Sequence, residues 1–169
     1  MDSQRDNGKQ VEYLVSECRG KRVSQTRMTR EEKSQLNPDD VDFLWDEATG
    51  QFCIRTKRGK VIEHFGALPG IGGELRRMLL DLMWQPGELL PPQKCFPNST
   101  MNPKYLRGIV TARLARLRRA FGETAAEPWF FLARRVPYSL CWSGARSWRF
   151  VERVALPNGG THDAPASTL

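Results

Sequence analysis

The sequence predicts an α+β domain: a small antiparallel β-meander, a helical middle dominated by one long arginine-rich helix, and a C-terminal β-hairpin. Three observations carry that expectation. Between residues 41 and 65, the runs VDFLWDE, QFCIRT and VIEHF are rich in β-branched and aromatic residues. They are separated by turn chemistry, Ala48-Thr49-Gly50 and Lys57-Arg58-Gly59-Lys60. Between 73 and 121, apolar residues recur at helical spacing. From 128 onward, PWFFLARRVPYSLCW reads as two strands around a turn.

The chain has 169 residues, a length that favours one domain and can bury a core without a metal or disulfide staple. Apolar residues make up 40% and charged residues 27%, which excludes a wholly disordered chain. No apolar run approaches the roughly 18–20 residues of a membrane span, and MDSQRDNGKQ lacks the apolar stretch of a signal peptide. A cytoplasmic protein is expected. Cys18, Cys53, Cys95 and Cys141 stand far apart with no CxxC spacing, so they are expected as reduced, small hydrophobes rather than metal ligands. His64, in VIEHF, and His162 are widely separated and read as structural or exposed.

Taken in order, residues 1–40 are polar and read as an N-terminal arm, partly disordered, with one apolar island, VEYLV. Within it, Thr29-x-x-Glu32 has capping-box spacing for a short helix through Leu36, ended before Pro38. The main domain is expected over 41–154, with 155–169 a disordered tail. After the meander, Leu75, Met78, Leu79, Leu82 and Met83 mark the buried face of a helix that Pro86-Gly87 stops. The glycines Gly70, Gly72 and Gly73 lack the Lys-Ser/Thr of a phosphate-binding loop and read as a connection. Prolines in ELLPPQKCFPNSTMN leave room for one short helical turn.

The long helix, 103–121, opens on Pro103 and closes on Gly122. Leu106, Val110, Leu114, Leu117 and Phe121 fall within a roughly 80° arc and form its buried stripe. Opposite lie Lys104, Gly108, Ala112, Ala115 and Arg119, with Arg107, Thr111 and Arg118 on one flank and Arg116 on the other. Arg113 borders the core stripe. In the hairpin, Trp129, Phe131, Tyr138, Leu140 and Trp142 are expected to pack, with Arg134 and Arg135 near its tip. SWRFVERV adds a further strand or a short helix.

Charge is concentrated there. Residues 1–40 carry eight basic and eight acidic side chains, and residues 41–102 carry seven of each. Residues 103–135 carry eight basic against two acidic, so nearly all of the +7 net charge sits in one stretch. A concentrated positive field points to a polyanion. A line of small residues fringed by arginines also lets a helix backbone approach closely, as the major groove of duplex DNA requires. The alternative is that Gly108, Ala112 and Ala115 pack against another helix or a partner.

The text LLDLMWQPGELL, RLARLRRAFGE and WFFLARRVPYSL, in that order and spacing, resembles the winged-helix effector domain of OmpR/PhoB-type response regulators, without a receiver domain. The resemblance covers about residues 41–142. It implies a winged helix-turn-helix, with a recognition helix at 103–121 in the major groove and a wing at 132–140 on the minor groove or backbone. By motif position, Arg116 and Arg118 correspond to groove and phosphate contacts, Arg134 to a wing arginine, and Tyr138 to the tyrosine closing the wing. It leaves open a homodimer on repeated half-sites and contact with RNA polymerase.

The expected function is therefore duplex DNA binding by a nucleoid-associated transcriptional regulator. Its candidate contacts are Lys104, Arg107, Thr111, Arg116, Arg118, Arg119, Arg134 and Arg135. The competing expectation is a module that docks a protein or an RNA-containing assembly. No Ser/His/Asp, Cys/His, Walker or HExxH arrangement is present, so neither an enzyme nor a cofactor or metal site is expected.

Overall fold

The computed structural model describes residues 11–55, 61–65, 73–95, 102–133, 139–143 and 145–155. Strand β1 (Val11–Arg19) pairs antiparallel with β2 (Arg22–Thr29) along an unbroken register from Glu12↔Thr29 to Arg19↔Arg22. The turn between them is Gly20-Lys21, and Gly20 adopts φ of 66°, which suits a residue without a Cβ. Residues 11–29 of the polar arm expected over 1–40 are thus a hairpin within a sheet. Thr29 then caps helix α1 (Arg30–Ser34). The Glu32 amide donates to Thr29 Oγ1 at 3.2 Å and the Thr29 amide donates to Glu32 Oε1 at 2.9 Å, the capping box read from the sequence.

Strands β3 (Phe43–Asp46), β4 (Gln51–Arg55) and β5 (Val61–Phe65) form the expected antiparallel meander. Strand β8 (Trp148–Ala155) enters between the two groups, antiparallel to β1 and parallel to β3. The sheet has six strands in the order β2-β1-β8-β3-β4-β5. A parallel pair needs a long crossover, and everything between β3 and β8 supplies it. Side-chain alternation sorts the sheet into two cores. Phe43, Trp45, Phe52, Ile54, Trp148 and Phe150 face the crossover helices, whereas Tyr13, Val15, Leu44, Cys53 and Val151 meet Leu36 on the other face.

Helix α2 (Gly73–Trp84) buries Leu75, Met78, Leu79, Leu82 and Met83, as its periodicity requires. Trp84 packs on Trp148 with ring centroids 4.6 Å apart, and the Trp148 indole N–H donates to the Met83 carbonyl at 3.0 Å, satisfying an acceptor that the helix end leaves open. Beyond the stop, Gly87 donates to the Trp142 carbonyl, and Leu90 and Leu140 exchange backbone hydrogen bonds. This segment lies alongside β7 (Ser139–Trp142), which pairs with β6 (Phe130–Ala133). Helix α3 (Pro92–Cys95) is one turn, and α4 (Pro103–Ala120) is the long arginine-rich helix.

The winged helix-turn-helix is not the fold that forms. The chain is mixed α/β and mostly β, built on a six-stranded sheet that the resemblance does not contain. Two physical reasons account for the difference. Segments 11–29 and 148–155 both supply strands that join and extend the meander. In addition, the helix that should precede α4 in a helix-turn-helix pair is cut to four residues among Pro91, Pro92 and Pro97, which remove backbone donors. Residues 134–138, including Arg134, Arg135 and Tyr138, lie outside the described residues, as do Gly70, Gly72, His162 and the expected tail from 156. Within the hairpin, Trp129, Leu140 and Trp142 are buried as expected, but Phe131 is 56% exposed and its neighbour Phe130 packs instead.

An ion pair from Lys33 and a hydrogen bond from Arg149 fasten α1 and its following turn to the sheet. Lys33 Nζ lies 2.8 Å from Asp46 Oδ2 and over the Tyr13 ring. Arg149, 2% exposed, donates from Nε to Glu17 at 2.5 Å and from its guanidinium to the Asn37 carbonyl at 3.0 Å.

Candidate nucleic-acid interface

Helix α4 begins where the Asn102 side chain accepts the Lys104 amide at 2.9 Å, with Pro103 at the first turn. It ends where Gly122 turns to φ of 63°. Leu106, Val110, Leu114, Leu117 and Phe121 are all at most 3% exposed, so the stripe read from the sequence is the buried one. Phe121 anchors it, with ring centroids 4.7 Å from Phe43, 5.1 Å from Trp129 and 5.3 Å from Phe130. This core fixes the rotation of α4 and hence which side chains reach solvent.

The opposite face presents Lys104, Tyr105, Arg107, Gly108, Thr111, Ala112, Ala115, Arg116 and Arg119, all exposed. Six cations and no carboxylate lie within the 18 residues of the helix. Lys104, Arg116 and Arg119 have no ion pair among the described residues. Glycine at 108 costs the helix about 1 kcal/mol relative to alanine, yet no heavy atom lies within 4 Å of where its Cβ would stand. Packing inside the chain therefore does not require glycine there.

Two candidate contacts are engaged elsewhere. The Thr111 hydroxyl donates to the Arg107 carbonyl at 2.8 Å, an ordinary use of threonine within a helix. Arg118 Nε stands 2.5 Å from Glu123 Oε1, an ion pair in which the N–H is not aligned on the oxygen. Arg134 and Arg135 are not described. The structure thus brings Lys104, Arg107, Arg116 and Arg119 onto one surface and turns Arg118 toward a carboxylate.

Glu123 is a residue that the sequence did not single out. Its other oxygen accepts the amides of Trp129 at 2.5 Å and Phe130 at 2.8 Å. One carboxylate therefore ties the end of α4 to the start of β6. Glu123→Ala should cost roughly 2–3 kcal/mol, because two amides lose their acceptor and a cation its partner. Glu123→Gln, which keeps an acceptor, should recover much of that loss. Melting curves of the two variants check it, and equal losses would mean that charge rather than amide capture dominates.

Between α4 and β6 runs an open groove of about 290 Å³ lined by Thr111, Leu114, Ala115, Arg118, Arg119, Glu123 and Leu132. Arg146 also escaped notice in the sequence. It is 2% exposed, stacks 4.3 Å from the Trp129 ring centroid and donates to the Pro128 carbonyl at 3.2 Å, so it is a core residue despite its charge.

Among the described residues, no helix is long and apolar enough to cross a membrane, and no three His, Cys, Asp or Glu side chains are placed to hold a metal. No protein-family model, curated protein or solved structure matches the chain.

Proposed function

We propose that this protein binds duplex DNA through the exposed face of α4 and works as a transcriptional regulator, with the cytoplasmic, nucleoid-associated location that such a target implies. The observation that carries the reading is a helix with six cations, no carboxylate and an exposed crown where Arg119 stands among Gly108, Ala112 and Ala115. The buried stripe holds this face outward, and a helix about 10–12 Å across fits a major groove of about 12 Å. Its exposed cations meet backbone phosphates along the groove.

The test is fluorescence anisotropy of a labelled random duplex of about 30 base pairs and of a single-stranded RNA, each across a salt series. The four exposed cations of α4 contribute about −3.6 to the log–log salt slope on duplex, at about −0.9 per phosphate neutralised. Absence of duplex binding at low salt overturns the reading. A second reading, docking of a protein partner, is favoured by Tyr105, which is 72% exposed and lies on the same face as Gly108 and Ala112. It predicts salt-insensitive capture that Tyr105→Ala abolishes.

A further inference from the structure

The β1–β2 hairpin ends in a cluster of positive charge. Residues 19–22 read Arg-Gly-Lys-Arg, all exposed, and Arg19 stands directly across the ladder from Arg22. Like charges opposite one another on paired strands are destabilising. No carboxylate relieves Lys21 or Arg22 among the described residues, and Arg19 reaches only the Asp40 carbonyl, at 3.3 Å. Local rules of stability are broken most often where another task is served.

The tip is also held in place. A Cβ built on Gly87 would stand 3.2 Å from Lys21 Cε, so the lysine stem lies in the space that this glycine leaves open. Gly87 donates to Trp142 on β7, β7 pairs with β6, and Leu132 of β6 lines the groove beside Arg118 and Arg119. The tip therefore sits against the β6–β7 ribbon that flanks the α4 groove. One turn of duplex, roughly 34 Å, is long enough to meet both.

We infer that the hairpin tip, Lys21 and Arg22 with Arg19 behind them, is a second phosphate-contact site for the same duplex that α4 binds. This rests on the DNA-binding reading and extends its footprint to a segment that carries no net charge when counted as a whole. The contact is to backbone phosphate, because exposed cations on a two-residue turn reach charge and present no helix or strand to fill a groove.

The test compares the full chain with Lys21→Ala/Arg22→Ala on the same random 30-base-pair duplex across salt. The tip variant should lower the magnitude of the salt slope by about 2 and weaken binding roughly tenfold near 0.1 M salt. Its melting temperature should hold or rise, because the like-charge pair is gone, and Lys21→Arg/Arg22→Lys should bind like the parent. An unchanged slope in the alanine variant, with α4 variants still impaired, overturns the tip site and leaves the α4 reading standing. Loss of binding together with a lowered melting temperature overturns it too, by making the tip structural. A parent protein that does not bind duplex at low salt overturns both readings.

Discussion

Arg116→Ala combined with Arg119→Ala should lower the magnitude of the duplex salt slope by about 2 and weaken binding at least tenfold near 0.1 M salt. Both side chains are exposed, and neither has an ion pair among the described residues. Folding should therefore change little. Alanine is the best helix former, which offsets the few tenths of a kcal/mol that Arg119 contributes by sitting near the negative end of the helix. Arg118→Ala gives the contrast. Its loss strands the Glu123 carboxylate at that same helix end, so stability should fall while the salt slope changes by less than one unit. If the Arg118 variant impairs binding more than the double variant does, the face of α4 has been assigned wrongly.

Phe121→Ala should cost about 3–5 kcal/mol. The ring is fully buried and touches Phe43 on the sheet, Trp129 and Phe130 at the start of the hairpin, and Trp142 on β7. Removing it opens a void where three elements meet, and aromatic neighbours whose positions are fixed by one another cannot readily collapse into it. Urea unfolding followed by tryptophan fluorescence reads the loss directly. A cost below about 1 kcal/mol would mean that α4 is not anchored through Phe121. Because folding stability is typically about 5–15 kcal/mol, this variant should also lose duplex binding at 37 °C, though for want of folded protein.

The helices were legible in the sequence because an amphipathic stripe repeats faster than chance and needs no distant partner. Leu75 to Met83 and Leu106 to Phe121 could each be read alone. The meander was legible for a similar reason, since its turns are local. What failed depended on distance. Strand β2 is an edge strand exposed on most of its length, so RVSQTRMT shows no alternation and resembles a polar arm. The burial of Arg149 could not be read, because its partner Glu17 is 132 residues away. Phe131 was mistaken for a packed residue because Trp129 precedes the strand, and the alternation starts at Phe130 instead. Of the candidate contacts, Lys104, Arg107, Arg116 and Arg119 could be placed from helical phase. The engagement of Arg118 could not, since Glu123 acts through a turn whose geometry periodicity does not encode.

The position of β8 governs how this molecule can come into being. Among the described residues it is the last of eight strands in chain order, yet it occupies an interior place in the sheet, bonded to β1 on one side and β3 on the other. As the polypeptide leaves the ribosome, β1 can pair with β2, and β3 with β4 and β5, but the two groups cannot be joined until residues 148–155 emerge. Phe43 and Trp45 of β3 and Phe52 of β4 stay open to water through synthesis of the whole helical crossover. Closure over such a separation is a slow, non-local event, and a chain that stops before Trp148 would leave two half-sheets with bare interior edges, each a template for association with a neighbour.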